Sequence, residues 1–323
     1  MIGCMYSSVR FTGRWMLTDK QAIATAPGSF FELAFKGLEV ELHFNTEWMT
    51  APHPHLWVSL DHGPRFEIPI DSHICIQAKT VGNHVVEVIF KSAVEMTHRW
   101  YQPLDGRVSF LGYDADHPGE LPADNRKTIE FIGDSITEGV MIDDPTGEGI
   151  DWLHRPYQDN STATYAWLAA EYLGLKPIIM GYGGVGVTKE GCGCVPRAQD
   201  AYLFCYHNAP INYADSDFIV INHGTNDIGK DPAVFKSGYW TLLDTVAKHN
   251  PRSRIMLVPP FCGAWHEEIR SIAQEYAETA GREIDFISSA GWAASKRIHP
   301  DREGHILLAK NLAREIVKRY TDI

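Results

Sequence analysis

Four short blocks in this chain hold residue types that can carry out nucleophilic chemistry. The first is Gly133-Asp134-Ser135, which directly follows the apolar and β-branched run at 128–132. A serine at the carboxyl end of a parallel strand lies where open α/β sheets bind their ligands, and its hydroxyl becomes a good nucleophile when a neighbouring base takes its proton. The other blocks, in chain order, are Gly181-Tyr182-Gly183-Gly184-Val185-Gly186-Val187-Thr188, Asn222-His223-Gly224-Thr225-Asn226-Asp227 and His299-Pro300-Asp301-Arg302-Glu303-Gly304-His305.

Serine, glycine, asparagine and histidine in this order and spacing resemble the four blocks of the SGNH (GDSL) hydrolases. The resemblance implies that Ser135 is the nucleophile and His299 the general base of an ester hydrolase. It also implies an oxyanion hole formed by the Ser135 N–H, a glycine N–H and the side-chain amide of Asn226. Aligning the second block makes Gly183 the glycine donor, with the adjacent Gly184 as an alternative.

Each of these residues also has a structural explanation that must be weighed against the catalytic one. A serine after a strand can cap a helix, and an asparagine such as Asn226 can form an Asx turn. The glycine-rich block can be a plain turn, and it lacks the Gly-Lys-Ser/Thr sequence of a phosphate loop. His305 competes with His299 as the base, but it falls inside a helical pattern, where we expect it to pack or to cap.

The sequence departs from the family pattern beside the catalytic histidine. An aspartate usually precedes that histidine by three residues, but Lys296 occupies the position here and cannot accept a hydrogen bond. Either a backbone carbonyl orients His299, which gives a Ser-His dyad, or an acid from elsewhere substitutes. We expect the Asp134 side chain to point away from the nucleophile, and Asp301 is too close in sequence to orient the ring.

Composition narrows the class of protein. The net charge of −12 argues against a nucleic-acid partner, and no apolar segment reaches the length of a membrane span. The amino-terminal segment lacks a secretory signal, so we expect a cytoplasmic protein whose six cysteines are free thiols. Cys192-Gly193-Cys194 lacks zinc-site spacing, and we predict neither a metal nor a cofactor. The oligomeric state stays open.

The two parts of the chain follow different patterns. Residues 1–120 contain short β-rich runs, such as His55–Asp61 and His84–Phe90, separated by turn signals. This pattern predicts an all-β sandwich of the jelly-roll type as an accessory domain. The acidic, proline-containing stretch 114–124 is expected to be the linker.

Residues 121–323 alternate between strand and helix patterns. The predicted fold class is therefore α/β, and the resemblance specifies a three-layer α/β/α, flavodoxin-like hydrolase domain with a parallel sheet. Helices are expected after Asn160 or Ser161, and from about Glu303 to the end. Strands are expected at 128–132, 177–181, 217–222, 253–259 and 284–287, and further helices at 235–248 and 267–279.

A sandwich joined to an SGNH domain resembles carbohydrate esterase family two, and this implies an acetyl ester of a sugar or oligosaccharide as the substrate. Aromatic rings stack on sugar faces but also fill cores. We expect at least one of Trp152, Tyr182, Trp265 and Trp292 to bind substrate, and Trp265 is the strongest candidate. The alternatives are a lipid or thioester acylhydrolase, an acyltransferase of the same superfamily, and a non-catalytic carbohydrate-binding protein.

Overall fold

The structure is a computed structural model that describes residues 8–147, 152–292 and 297–321. Its amino-terminal part is an antiparallel sheet of eight strands, hydrogen-bonded in the order β2-β3-β8-β4-β7-β5-β6, with β1 paired to β4. The strands are β1 (Val9–Thr12), β2 (Met16–Leu17), β3 (Ala22–Ala24), β4 (Phe30–Phe44), β5 (His55–Leu60), β6 (Phe66–Pro69), β7 (His73–Ser92) and β8 (Val108–Pro118).

Long, bent strands let this one sheet enclose its own core. The register between β4 and β7 shifts between Gly37 and Glu39, and side chains from both halves of each strand meet in one buried cluster. Beyond the shift, Val40, Leu42 and Phe44 point inward as alternation predicts. Leu38 lies at the shift itself and is 37% exposed.

The predicted linker begins too early. Residues 114–118 belong to β8 and pair with β4, with Asp114 opposite Glu41 and His117 opposite Lys36. An acidic strand is tolerated here because its polar side chains face solvent. Residues 119–127 connect the two large sheets, and the division into domains at residues 120 and 121 stays a prediction.

The carboxy-terminal part is built on a parallel sheet in the order β10-β9-β13-β14-β15. Helices cover this sheet, and a short ribbon formed by β11 and β12 stands apart from it. The strands are β9 (Thr128–Gly133), β10 (Lys176–Gly181), β11 (Phe204–Tyr206), β12 (Ala209–Pro210), β13 (Phe218–Asn222), β14 (Arg254–Leu257) and β15 (Asp285–Phe286). The helices are α1 (Ser135–Glu138), α2 (Arg155–Gln158), α3 (Tyr165–Leu173), α4 (Ala198–Ala201), α5 (Pro232–His249), α6 (His266–Ala280) and α7 (Arg302–Arg319).

Local signals explain where these helices begin and end. Asn160 caps only the short 3₁₀ turn at 161–163, and Thr164 caps α3 by accepting the Trp167 N–H at 3.0 Å. Gly174 ends α3 in the left-handed conformation. Asp301 caps α7 by accepting the Gly304 N–H at 2.9 Å.

The observed architecture confirms the predicted fold class, an antiparallel β-rich part followed by an α/β part. The five cysteines that the structure describes are free, as expected. Among the described residues, no helix has both the length and the apolar character needed to cross a membrane.

Candidate active site

The parallel sheet brings the four sequence blocks to one edge. Gly133, at the end of β9, pairs with Gly181 at the end of β10 and with Asn222 at the end of β13. The loops that follow these strands therefore leave the sheet side by side. β10 lies on one side of β9, and β13, β14 and β15 follow on the other side, so the order of the strands along the chain changes direction at β9. Open α/β sheets bind ligands in the crevice at such a switch point.

Ser135 and His299 form the centre of the site. His299 Nε2 lies 2.9 Å from Ser135 Oγ, although 164 residues separate them in sequence. Gly133 permits the tight turn before the serine, because a Cβ there would lie 2.0 Å from Thr137 Oγ1. Ser135 is 6% exposed, so its hydroxyl is almost fully buried beside the His299 ring.

The surroundings of His299 favour its neutral form. Burial lowers the pKa of the imidazole below its ordinary value, and the Arg155 guanidinium lowers it further, while the Glu95 carboxylate opposes both. Within the part of the chain that the structure describes, no side chain hydrogen-bonds to His299 Nδ1, so no described carboxylate completes a triad. Lys296 lies outside the described residues.

Asp134 and His305, the other titratable residues close in sequence to Ser135 and His299, have structural roles. Asp134 is buried and accepts the Ile136 N–H at 3.0 Å, so its carboxylate caps the turn that begins at Ser135. Burial raises the Asp134 pKa to about 6. His305 Nδ1 accepts the Tyr165 N–H at 2.9 Å, and burial lowers the His305 pKa to about 3. The expectation that His305 packs or caps is therefore confirmed.

Asn226 lies in the short 3₁₀ turn at 225–227 that follows β13. Its Nδ2 donates to the Val185 carbonyl at 3.0 Å, which fixes the amide and leaves its second N–H available. The neighbouring Asp227 accepts the Val187 N–H at 3.1 Å and the Thr188 N–H at 2.8 Å. Asp227 thus joins the asparagine turn to the glycine-rich loop, a positioning role that the sequence analysis missed.

The structure of the glycine-rich loop disagrees with the prediction that Gly183 is the oxyanion donor. The Gly183 N–H donates to Glu138 Oε2 at 2.6 Å, and a buried ion pair with Arg99 holds that carboxylate in place. In this structure the Gly183 N–H is therefore not free to bind an oxyanion. Gly184, the alternative donor, has a φ of +73°, and no hydrogen bond of its N–H occurs among the described residues.

The antiparallel amino-terminal part, called the sandwich from here on, supplies charged groups that lie next to the site, which the sequence analysis also missed. Glu95 and Arg99 follow β7, and a Cβ on Gly183 would lie 2.2 Å from Glu95 Oε2. Glu95 Oε1 accepts from Arg155 Nη2 at 3.0 Å. Lys91 of β7 donates to the Pro156 and Asp159 carbonyls, which anchors the segment that carries Arg155.

The four aromatic candidates differ in accessibility. The prediction for Tyr182 is wrong, because the ring is 1% exposed and its hydroxyl lies 2.9 Å from Thr25 Oγ1. Trp265 is half-buried, with one face stacked on Phe235 at 4.1 Å and its Nε1 donating to the Gly224 carbonyl. Trp292 is also half-buried and packs against the core. Trp152 is 47% exposed, beside the Arg155 guanidinium at 5.4 Å.

A serine in contact with a histidine at a switch point of a parallel sheet, beside a fixed asparagine amide, defines an SGNH-type hydrolase site. The chain matches the GDSL-like lipase/acylhydrolase family over residues 131–307, which is more than half of its length. It therefore belongs to this family, whose description is that of carboxylic ester hydrolases.

Individual proteins are similar to this chain in sequence or in fold. The cellulase/esterase CelE of Acetivibrio thermocellus is 28% identical over 232 residues, which cover 65% of this chain and only 28% of that relative. A family two carbohydrate esterase from Cellvibrio japonicus superposes with a TM-score of 0.80 at 20% identity, covering 97% of this chain and 96% of that one. Another, from Clostridium thermocellum in complex with cellohexaose, gives 0.75 at 22% identity, covering 96% and 98%. The two-part fold is thus that of family two carbohydrate esterases.

Proposed function

We propose that this chain is a serine esterase that removes acyl groups, in the first place acetyl, from a carbohydrate through a covalent intermediate on Ser135. The observation that carries the proposal is the 2.9 Å contact between Ser135 Oγ and His299 Nε2 at the ligand-binding edge of the sheet. Family membership and the carbohydrate esterase fold support the choice of reaction and of substrate class.

In the acylation half-reaction, neutral His299 takes the proton of Ser135 as Oγ attacks the ester carbonyl carbon. The carbonyl oxygen becomes an oxyanion in a tetrahedral intermediate. The intermediate collapses by breaking its bond to the sugar oxygen, which leaves as an alcohol after receiving the proton from the His299 imidazolium. Water then repeats the sequence on acyl-Ser135, and the carboxylic acid leaves.

We assign the oxyanion donors as the Ser135 N–H, the Asn226 amide and the Gly184 N–H. Gly184 replaces Gly183 because the Gly183 N–H is already bound to Glu138. Donors aimed at a charge that develops only in the transition state lower its energy without reorganisation.

A structure with a phosphonate adduct on Ser135 tests the glycine assignment. We expect the phosphoryl oxygen to lie within about 3.2 Å of the Gly184 nitrogen, while Gly183 stays bound to Glu138. Release of Gly183 from Glu138 and its contact with the phosphoryl oxygen would restore Gly183 as the donor.

The substrate class is tested by comparing acetylated mono- and oligosaccharides with nitrophenyl esters of increasing acyl length. We expect acetyl sugars to have the highest kcat/KM and activity on nitrophenyl esters to fall as the acyl chain grows. A preference for long acyl chains would favour the lipid or thioester acylhydrolase instead. Transfer of the acyl group to an added alcohol in preference to water would favour the acyltransferase.

The pH dependence of activity should report the environment of His299. Because burial lowers its pKa, we expect the acid limb of kcat/KM to lie below the ordinary histidine range. Among the described residues, the charged groups that act on the ring are Glu95 and Arg155, and buried His305 on α7 lies near it. Glu95→Gln removes an anion that favours the imidazolium, so the acid limb should move to lower pH.

Glu87→Gln is the matched control, since Glu87 lies on the sandwich and binds Arg65. Its pH profile should equal that of the wild type. An acid limb that stays in place in Glu95→Gln, or moves to higher pH, would show that Glu95 does not act on the base.

Trp152 is the most exposed of the four aromatic candidates, and it lies beside Arg155, whose guanidinium binds Glu95 near His299. We expect Trp152→Ala to raise KM for an acetylated oligosaccharide by about 2- to 10-fold, the loss of one aromatic stacking contact. KM for nitrophenyl acetate should not change, because that substrate has no sugar. Tyr172→Ala, which removes a ring of equal exposure on α3, is the control. Equal effects on both substrates would contradict a sugar-binding role.

A further inference from the structure

A cluster of metal-ligand side chains lies on the outer face of the sandwich. His43 of β4 is directly opposite His73 of β7, and Glu41 of β4 is opposite Asp114 of β8. These residues alternate with buried apolar neighbours, so their side chains share the outward face. Neither the proposed mechanism nor any other feature of the hydrolase domain uses them.

The ligand atoms of three residues converge. His43 Nδ1 lies 3.1 Å from His73 Nδ1, and Glu41 Oε1 lies 3.2 Å from His73 Nδ1. All three atoms are within 4.8 Å of one another. Two ligand atoms that bind one zinc ion at about 2.1 Å in tetrahedral geometry are about 3.4 Å apart. The 3.1 and 3.2 Å separations from His73 Nδ1 are thus close to those that a shared ion imposes.

A fourth residue prepares His43 as a ligand. His43 Nε2 lies 2.9 Å from Asp114 Oδ2, and a carboxylate can only accept, so Nε2 carries the proton. The neutral ring then presents the lone pair of Nδ1 toward His73 and Glu41. A carboxylate behind a ligating imidazole is the usual arrangement in metal sites, where it fixes the tautomer and raises ligand basicity.

The surrounding charge favours a cation. Glu39 on β4 and Asp116 on β8, the strands that carry His43 and Asp114, are exposed, in a chain whose net charge is −12. The side chains remain accessible from solvent, with 21% of His43, 62% of His73 and 44% of Glu41 exposed. An ion therefore has an open path to the cluster.

We propose that Glu41, His43 and His73 bind one Zn²⁺ ion, with Asp114 as the positioning residue behind His43 and water completing the coordination. Two imidazole nitrogens and one carboxylate oxygen suit zinc better than calcium or magnesium, which prefer oxygen ligands. The expectation that the chain needs no metal then applies to the catalytic crevice and not to the sandwich.

The ion would stabilise the sandwich without taking part in catalysis. Phe30, at the opposite end of β4, packs on Trp167 of the hydrolase domain. His43 lies thirteen residues further along the strand, which at about 3.4 Å per residue is roughly 44 Å of strand. Zinc bound there should join β4 to β7 and raise Tm while leaving kcat and KM of the esterase unchanged.

Zinc titration of the chelator-treated full chain tests the proposal. We expect one tight equivalent of Zn²⁺ and a Tm that rises with zinc concentration. His43→Ala and His73→Ala should each abolish that equivalent and the Tm rise. Asp114→Asn should weaken binding by about 10- to 100-fold, the usual cost of losing the group behind a ligand.

Two control variants separate this site from incidental histidine binding. His62→Ala/His207→Ala removes two exposed histidines elsewhere on the chain and should keep the tight equivalent. Cys75→Ser tests the exposed thiol opposite Glu41 and should also keep it. All variants should have the wild-type Tm in chelator. The proposal is overturned if His43→Ala and His73→Ala bind zinc as the wild type does. It is also overturned if the wild type binds no tight equivalent of zinc, in which case His43 and His73 form only a hydrogen-bonded pair.

Discussion

We expect Ser135→Ala to lose at least about 10⁴-fold of its turnover on an acetyl ester while it melts at the wild-type temperature. The substitution removes the one oxygen that His299 Nε2 contacts at 2.9 Å and leaves the turn that holds it. That turn is stabilised by Gly133 and by the Asp134 cap, neither of which depends on the serine hydroxyl. Steady-state turnover of nitrophenyl acetate and thermal unfolding should be measured on the same preparation.

Ser253→Ala is the matched control for this experiment. Ser253 is also buried, its hydroxyl has no partner among the described residues, and it precedes β14 at the opposite edge of the sheet from Ser135. The Ser253→Ala variant should keep the wild-type turnover of nitrophenyl acetate. Turnover of Ser135→Ala above about one hundredth of the wild-type value, at an unchanged Tm, would exclude Ser135 as the nucleophile.

We expect Asn226→Ala to lower kcat by about 10²- to 10³-fold, the cost of one oxyanion donor, and to change KM much less. The Val185 carbonyl holds one N–H of the amide, and the other is available to the developing charge. Because the ground-state carbonyl binds weakly to such a donor, the loss should appear in kcat. Initial rates over a range of nitrophenyl acetate concentrations separate the two constants.

Asn226→Asp refines the same test, since aspartate keeps the shape of asparagine but cannot donate when ionised. Its negative charge beside the oxyanion should make the loss in kcat at least as large as in the alanine variant. If Asn226→Ala and Asn226→Asp both raise KM and leave kcat unchanged, Asn226 binds the substrate in its ground state and is not part of the oxyanion hole.

The sequence was sufficient to predict the strands that end at the site and the residues that follow them. Strand patterns at 128–132 and 217–222 agree with β9 and β13 to within one residue. In a parallel sheet all carboxyl ends lie at one edge, so Ser135 and Asn226 had to be close once those strands were paired. The strand patterns alone do not identify His299, because its loop reaches this edge only in the folded chain. That residue was predicted from the family resemblance.

What the sequence did not predict depends on contacts between distant segments. Nothing in the local sequence shows that Glu138 accepts the Gly183 N–H, or that Tyr182 is buried under the sandwich. Glu95 and Arg155 are 60 residues apart and meet only because β7 packs beside α2. The zinc ligands are separated in the same way, because His43 and His73 lie on paired strands with a long connection between them.

Rapid quenching of the wild-type enzyme with an acetylated oligosaccharide, followed by mass spectrometry of the intact chain and its peptides, tests the central claim most directly. We predict a transient increase by the mass of one acetyl group, located in the peptide that contains Ser135 and absent from Ser135→Ala. An acetyl group carried by any other residue, or the same labelling of Ser135→Ala, would contradict the proposed acyl-Ser135 mechanism.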